Sequence, residues 1–491
     1  MFPGAVHVQV SRRRNRVLLS WAMVAMATGA GAQDTRIVKE PVIPAACVKL
    51  EAKLLGTEDG RITDGAGKSA EDKPDTERIQ KALDGCGQGK AVELADHVGP
   101  LAGMAGNAYL SGPLTIPEGV TLLVDKGVTL FASRRASDYD VTPGACGVLM
   151  QARARGCKSF ITIRAKNTAI MGDGTIDGRG GAKLLDKGYS WWALAVKAEP
   201  GNVPYGDPRL IDAAEADGFV LYRITLHNSP NFHVGVSQTN GFTAWGVHLK
   251  TPTVEPGPGE PRPRNTDGID PGSSTNITIA HSWIDNGDDN IAIKTGVTHI
   301  SVLDNHFYSG HGMSIGSETY TGDSFLLVDG LTEDHTTSGI RIKSNVTRGG
   351  LVHDMVYRNI CMRDVQVPIA ISPYYNDGTI EPFVDPGFKG DRIPDYKKIS
   401  IENVTDETPG DLLIAGYDEA HRTQVNLIDV VIRGITLDKM HLKLADIGEY
   451  FTNFPLERAA AGNSVKVDHL GPPDAPTPPP YSCAGKFVPM R

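Results

Sequence analysis

The sequence has little of what marks a membrane protein, a nucleic-acid-binding protein or a zinc protein. Its apolar run near the start, residues 17–27, has about 11 residues and is too short to span a bilayer. The net charge of −9 disfavours general binding to nucleic acid through phosphate contacts. None of the six cysteines has the CxxC spacing of zinc sites. We therefore expect neither a membrane nor a nucleic acid as a partner.

Helical periodicity is scarce as well. Asp75 is placed to cap one helix over residues 76–83, and Gly85 is placed to end it. Elsewhere, short strand-like runs of about three to six residues alternate with Gly, Asn and Asp. The 55 glycines and 32 prolines fit a fold that has many turns and few helices.

The strand-like runs repeat along the chain. Residues 276–279 resemble residues 299–302 at an offset of 23, and residues 290–293 resemble residues 312–315 at an offset of 22. Residues 339–342 repeat the second pattern 27 positions later. About 22 residues make three short strands with their turns, which is one coil of a β-solenoid. The sequence therefore predicts an all-β solenoid, with the helix near Asp75 covering its N-terminal end.

The ends of the chain and two inserts interrupt this pattern. Residues 1–32 have the basic segment, apolar run and Ala30-Gly31-Ala32 site of a secretory signal peptide. We expect the solenoid to occupy residues 33–469, followed by a Pro-rich extension over residues 470–491. The inserts, residues 183–207 and 252–263, are expected on the binding face. Within the first, Trp191 and Trp192 are interpreted as packing residues in preference to a sugar-stacking surface.

All six cysteines follow the predicted cleavage site, and an exported protein with an even number of cysteines commonly forms disulfides. The pairs Cys47–Cys86 and Cys146–Cys157 are plausible, which leaves Cys361–Cys483. This pairing is one of fifteen that six cysteines allow.

The repeat brings acidic residues together. Asp289 lies 22 residues after Asp267, and His311 lies 22 residues after Asp289. If one coil has about 22 residues, the three side chains form a column with neighbours roughly 5 Å apart, and Asp288 projects into the same cleft. Close carboxylates repel each other, so at least one should hold a proton near neutral pH. A protonated and an ionised carboxyl group together are what the cleavage of a glycosidic bond requires.

Two cations follow about one coil later. Strand alternation places Arg341 and Lys343 on one face of the strand. Ile340 and Ile342, on the other face, are expected to point into the core, so the two cations should point outward into the groove. An Arg/Lys pair beside acids suits a sugar that carries a carboxylate, which arginine can hold with two hydrogen bonds.

Four segments in this order resemble the signature segments of the polygalacturonases, glycoside hydrolase family 28: Asn265-Thr266-Asp267, Gly287-Asp288-Asp289, Gly310-His311-Gly312 and Arg341-Ile342-Lys343. The resemblance implies a right-handed single-stranded parallel β-helix and inverting hydrolysis of α-1,4-D-galacturonosyl linkages in polygalacturonate or pectin.

The same resemblance implies roles for these residues. Asp288 would be the general acid, Asp267 and Asp289 would hold and deprotonate the water, and His311 would tune the acid. The substrate-binding residues would be Arg341, Lys343, Asn265 and Tyr375, with Tyr374 as the alternative to Tyr375. No metal or other cofactor is implied.

Several functions compete with this interpretation. Endo action is favoured over exo action, and a rhamnogalacturonan hydrolase is the next alternative. A Ca²⁺-dependent pectate lyase, with the ion on Asp267, Asp288 and Asp289, and a glycan-binding adhesin are less favoured. We expect a secreted monomer whose partner is the polysaccharide.

Overall fold

Short parallel strands make up most of the structure, a computed structural model that describes residues 33–57, 60–101, 104–152, 156–251, 261–376, 384–472 and 476–490. The predicted signal peptide and residues 252–260 of the second insert lie outside the described residues. Within the described part, no helix is long and apolar enough to cross a membrane.

The described residues contain 37 strands and three α-helices. The first ten strands and the first helix occupy the N-terminal part: β1 Ala46–Glu51, β2 Leu55–Gly56, β3 Ile62–Thr63, α1 Thr76–Asp84, β4 Lys90–Ala95, β5 His97–Leu101, β6 Met104–Gly106, β7 Ala108–Ser111, β8 Leu114–Ile116, β9 Val120–Val124 and β10 Thr129–Ala132. The strands and helix of the middle are β11 Ile161–Ile163, β12 Ala169–Met171, β13 Thr175–Asp177, α2 Trp191–Ala198, β14 Ile211–Ala214, β15 Val220–Tyr222, β16 Thr225–His227, β17 Val234–Ser237, β18 Thr243–Trp245, β19 His248–Lys250, β20 Ile269–Gly272, β21 Thr275–Ala280, β22 Trp283–Asp285, β23 Ile291–Ile293, β24 Thr298–Leu303, β25 His306–Phe307, β26 Met313–Gly316, β27 Asp323–Asp329, β28 Thr332–Asp334 and β29 Ser338–Lys343. The C-terminal part contains β30 Leu351–Arg363, β31 Val367–Ser372, β32 Asp395–Asp406, β33 Leu412–Ala415, β34 Thr423–Ile432, β35 Met440–Lys443, β36 Ala445–Thr452, α3 Leu456–Ala460 and β37 Lys466–His469.

Each central coil consists of three strands that pair in parallel with their copies in the next coil. Thus β20, β21 and β22 pair with β23, β24 and β25. One 11-stranded sheet forms one face of the coil, and a 22-stranded sheet forms the others. The prediction of an all-β parallel β-helix is confirmed.

Columns of aliphatic side chains fill the interior of the coils. Strand alternation directs every second residue inward, and the parallel register stacks these residues on one another. In the 11-stranded sheet, one such column is at most 7 % exposed at every position: Ile211, Val234, Ile269, Ile291, Met313, Ile340, Ile369, Leu412 and Met440.

Helix α1 lies where the sequence predicts it and buries Ile79 and Leu83 in the core. The predicted capping contact is wrong, however. Asp75 occupies the N-cap position, but its carboxylate accepts no hydrogen bond from the helix backbone. The Arg78 side chain donates to Asp75 Oδ1 at 2.8 Å instead, because an arginine one turn into the helix competes for the same oxygen.

The structure contains three disulfides, Cys47–Cys86, Cys146–Cys157 and Cys361–Cys483. The last one ties the C-terminal segment to β30. Farther along this segment, Val488 O accepts a hydrogen bond from Tyr308 Oη at 2.9 Å. The segment therefore runs along the outside of the coils.

Helix α2 belongs to the first insert. Ser190 caps it by accepting a hydrogen bond from Ala193 N at 3.1 Å. Trp191 packs edge-on against Tyr139, and Trp192 Nε1 donates to Ser229 O at 2.9 Å. Both tryptophans are buried, so they pack the insert onto the coils as the sequence analysis favoured.

Candidate active site

A groove runs across the outer face of the 11-stranded sheet. Its cavity volume is about 1140 Å³, and its lining includes all the predicted site residues. One end is bordered by Glu199 and Asn202 of the first insert, and the other end by Asp411 and Lys439. Arg262 connects the two inserts, because its Nη2 donates to Glu199 Oε2 at 2.6 Å.

The register aligns the predicted column. Ile269 pairs with Ile291, and Ile291 pairs with Met313, so the residues two positions before them also occupy equivalent places in successive coils. These residues are Asp267, Asp289 and His311. The spacing of 22 residues therefore identifies neighbours in space.

Asp289 is an anion held by three donors, although its side chain is 1 % exposed. Arg341 Nη1 donates to Asp289 Oδ1 at 3.0 Å, and Lys343 Nζ donates to Oδ2 at 2.7 Å. Ser314 Oγ donates to Oδ1 at 2.7 Å. Burial raises the pKa of Asp289, but Lys343 and Arg341 outweigh it and lower that pKa to about 2.

Asp288 forms a pair with His311. The two groups approach to 3.2 Å between His311 Nδ1 and Asp288 Oδ1, and the Asp288 side chain is 18 % exposed. Burial raises the pKa of Asp288, but a charged His311, its hydrogen bond and Lys343 together hold it well below its usual range. On the other side, Asn265 Nδ2 donates to Asp288 Oδ2 at 3.4 Å, and Tyr205 Oη donates to Asn265 Oδ1 at 3.0 Å.

Asp267 is the carboxyl group whose surroundings favour its neutral form. Burial and the neighbouring Asp270 raise the pKa of Asp267 well above its usual value. The Asp270 carboxyl has a pKa of about 7, raised by burial and only partly offset by Lys294. Lys294 Nζ lies 3.9 Å from Asp267 Oδ2 and 3.8 Å from Asp270 Oδ2. The site thus combines a carboxyl group whose pKa is raised with two whose pKa values are lowered, which is the combination that acid–base chemistry at a sugar needs.

The cation pair faces the groove, but it is less exposed than a simple outward direction suggests. Arg341 and Lys343 are each 6 % exposed. Tyr375 lies over them, with its ring centroid 5.6 Å from Arg341 Cζ and 5.0 Å from Lys343 Nζ. Tyr374 is buried, and its hydroxyl accepts a hydrogen bond from Lys443 Nζ at 3.0 Å. Tyr375 is therefore the one of the two tyrosines that lines the groove.

Four residues of this site were not predicted from the sequence: Ser314, Asp270, Lys294 and Tyr205. Register could have found the first two. Asp270, Ser314 and Arg341 each follow an inward residue of the aliphatic column, so they share the outward row. Tyr205 comes from the insert, and no periodicity reaches it.

Among the residues that the structure describes, two groups of side chains have the composition of a cation site. Asp288, Asp289 and His311 offer atoms within 4.8 Å of one another, as do Asp334, His335 and Asp364 on the surface. The first group fits a cation poorly, since Asp289 already accepts from Arg341 and Lys343 and two positive charges stand beside it. In the second group, Arg363 Nε donates to Asp334 Oδ1 at 3.0 Å. The contacts of Asp289 with Arg341 and Lys343 disfavour the alternative of Ca²⁺ at the groove acids.

Comparison with known proteins supports the same chemistry. The model of the family "Glycosyl hydrolases family 28" matches residues 105–445. An endo-polygalacturonase of Pectobacterium carotovorum subsp. carotovorum is 41 % identical over 423 residues, 84 % of this chain and 94 % of that protein. A polygalacturonase of Ralstonia solanacearum is 38 % identical over 432 residues, 79 % of this chain and 78 % of that one. The solved polygalacturonase from Erwinia carotovora ssp. carotovora superposes with a TM-score of 0.71 at 40 % identity, covering 84 % of this chain and all of that structure.

Proposed function

Because this chain belongs to glycosyl hydrolase family 28, we propose that it is an exported, endo-acting, inverting hydrolase of the α-1,4-D-galacturonosyl linkages of polygalacturonate. The observation that carries the proposal is the groove in which Asp267, Asp288 and Asp289 lie beside Arg341 and Lys343. An acidic cluster cleaves glycosidic bonds, and adjacent cations select a sugar that bears a carboxylate.

The acid step belongs to Asp288 with His311. In the free enzyme the contact with His311, at 3.2 Å, favours the ionised form of Asp288. A galacturonate carboxylate bound at Arg341 and Lys343 brings a negative charge close to Asp288. That charge raises the pKa of Asp288 and draws a proton from His311 to the Asp288 carboxylate. Asp288 then gives this proton to the glycosidic oxygen as the bond from the anomeric carbon to that oxygen breaks.

The water step belongs to Asp289 with Asp267. Asp289 is ionised and accepts the proton of the water as its oxygen bonds to the anomeric carbon, whereas Asp267, held neutral by its surroundings, orients that water. The nearest oxygens of Asp288 and Asp289 are within 4.8 Å, which is closer than the separation of about 6.5–9.5 Å usual for inverting enzymes. The family resemblance, and not this spacing, carries the proposal of inversion.

Endo action rests on where the groove lies. Its lining residues come from coils on both sides of the acids, from Glu199 and Arg209 at one end to Asp411 and Lys439 at the other. A polysaccharide chain lying along the groove would then extend past the acids in both directions. Export rests on the pattern of residues 1–32.

Product analysis on polygalacturonate tests this proposal. A ladder of oligomers at early times is expected, with β-configured reducing ends by proton NMR and no change on adding EDTA. Monomer or dimer alone from the first minutes would indicate exo action. An α-configured first product would overturn inversion. Products that absorb ultraviolet light, and whose formation EDTA prevents, would indicate a lyase.

A further inference from the structure

The column that holds the acids continues toward the N-terminus with residues of a different kind. Ile211 pairs with Val234, and Val234 pairs with Ile269. Two positions before each of these residues stand Arg209, Phe232 and Asp267. Since neighbouring strands are about 4.8 Å apart, Phe232 lies one coil and Arg209 two coils from Asp267, so Arg209 is roughly 10 Å along the groove. Both residues line that groove.

Phe232 is flanked by two cations. Arg209 Cζ lies 4.8 Å from its ring centroid, and Lys294 Nζ lies 6.0 Å from it. On the other side of the acids, Tyr375 is likewise flanked by two cations, with Arg341 Cζ 5.6 Å and Lys343 Nζ 5.0 Å from its ring centroid. The acids therefore lie between two arrangements, each made of an aromatic ring and an Arg/Lys pair.

Arg209 is held in place by a salt bridge that still leaves part of its guanidinium group accessible from the groove. Its Nη1 donates to Asp212 Oδ1 at 2.9 Å, while the side chain stays 35 % exposed. A guanidinium group carries five N–H donors, so a salt bridge through one of them leaves others for a ligand. The Asp212 contact fixes the orientation of the group, which lowers the entropy lost when it binds an anion.

We propose that Arg209, Phe232 and Lys294 form a second uronate-binding position, which holds a galacturonosyl unit on the side of the scissile bond opposite Arg341 and Lys343. The guanidinium binds the carboxylate, Lys294 adds positive charge, and the ring packs against the apolar face of the sugar. The inference rests on the proposed function and deepens it. Recognition on both sides requires free carboxylates on both sides, so it favours homogalacturonan over a polymer of alternating acidic and neutral sugars.

Arg164 supplies a matched control. Its Nη2 pairs with Asp212 Oδ2, while Arg209 pairs with Oδ1 of the same carboxylate. Arg164 is 40 % exposed and lies outside the groove lining. A variant of Arg164 therefore disturbs the same carboxylate without removing a donor from the groove.

The test compares Arg209→Gln, Arg209→Lys and Arg164→Gln on polygalacturonate. We expect Arg209→Gln to raise KM about tenfold with kcat within about threefold, because one charge-assisted hydrogen bond to the substrate is lost. Arg209→Lys should recover part of that loss, and Arg164→Gln should stay within about twofold of wild type. Added salt should raise the KM of the wild type more than that of Arg209→Gln.

Equal changes in Arg209→Gln and Arg164→Gln, or a fall in kcat with KM unchanged, would overturn the inference while leaving the hydrolase intact. Polygalacturonate that the wild type fails to cleave would instead overturn the proposed function, and the inference with it. The two failures are thus read from different proteins in the same assay.

Discussion

Two buried carboxyl groups in this molecule have pKa values shifted in opposite directions. Asp289 is 1 % exposed on the outward side of the 11-stranded sheet, and its pKa is lowered to about 2. Glu333 is fully buried on the inward side of the 22-stranded sheet, stacked between Phe307 and Met362, and its pKa is raised well above the usual value. The two side chains are therefore almost equally buried, but their pKa values are shifted in opposite directions.

The neighbours explain this difference. Asp289 accepts from Arg341, Lys343 and Ser314, so the anion has three donors and two positive charges. Within the described residues, no cation pairs with Glu333, the backbone N–H of Met313 is a donor too weak to outweigh burial, and the nearby carboxyl of Asp406 adds repulsion. Desolvation favours the neutral acid, and closely placed cations and hydrogen-bond donors reverse that preference at Asp289. A buried acid in this fold is thus an active-site candidate where the strand alternation also brings cations to it.

The largest expected effect comes from removing the anion of the groove. Asp289→Asn should lower the rate of reducing-sugar release from polygalacturonate about 10³-fold or more, because the proposed base is lost. It should also destabilise the fold by about 3–5 kcal/mol, since Arg341 and Lys343 are left buried without their anion. Activity assays and chemical denaturation measure the two effects.

Asp288→Asn is the control for that comparison. It removes the proposed acid, so activity should fall comparably, but Arg341 and Lys343 keep Asp289 as their partner. Its free energy of unfolding should therefore stay closer to the wild type. A stability loss equal to that of Asp289→Asn would contradict the idea that Asp289 specifically offsets the two cations.

The next effect comes from removing one cation. Lys343→Gln should raise the pKa of Asp289, because the ionised carboxylate loses a partner at 2.7 Å. An acidic limb of the pH profile of kcat/KM that reports this group should then move to higher pH by about one unit or more, with a loss of about 100-fold at the optimum. The control is Lys343→Arg, which keeps the charge and should shift this limb less. A uniform loss at every pH would show that Lys343 acts only through substrate contact.

Much of the comparison was visible in the sequence, and its limits have physical reasons. The coil period predicted the fold and the alignment of Asp267 with Asp289 and His311, because a parallel register turns sequence spacing into spatial neighbourhood. Alternation predicted that Arg341 and Lys343 share a face. It did not predict that both would bind Asp289, since that depends on side-chain conformations across several coils.

The interior acid was beyond the reach of sequence reasoning for a related reason. Glu333 lies within a short strand, as many exposed acids do, and a charged residue in such a strand is ordinarily predicted to point to solvent. Only the register that stacks it on Phe307 reveals that it points inward. Contributions from the inserts, such as Tyr205, were equally hidden because those segments carry no repeat.

A smaller effect is expected from Glu333→Gln, which sharpens the comparison from the interior side. The folded state binds the Glu333 proton more tightly than the unfolded state, whose pKa is about 4.3. Wild-type stability should therefore fall as the pH rises above about 4, and the Gln variant should lack that part of the fall. At pH 7 the variant should be more stable by about 1–3 kcal/mol, with activity within about twofold.

Thermal unfolding at pH 4 and pH 7.5 measures this difference, and Glu402→Gln serves as the control. Glu402 is half-buried in the same 22-stranded sheet and accepts from Ser400 Oγ at 2.6 Å, so Glu402→Gln makes the same chemical change in that sheet without altering the interior. If Glu333→Gln destabilised the protein equally at both pH values, folding would be shown to leave the pKa of Glu333 unchanged, and the contrast with Asp289 would fail.

The smallest effect is expected where the same ion-pair chemistry stands in water. Arg262 donates to Glu199 at the rim of the groove at 2.6 Å, as short a contact as that of Lys343 with Asp289, but the two side chains are 49 % and 38 % exposed. Solvent screens such a pair, so Arg262→Gln should change the free energy of unfolding by less than about 1 kcal/mol. Any rise in KM should stay within about twofold and vanish at about 0.5 M salt, where the screening length is only a few ångströms. A loss of several kcal/mol would mean that the rim excludes water as the site of Asp289 does, so that exposure could no longer separate the two pairs.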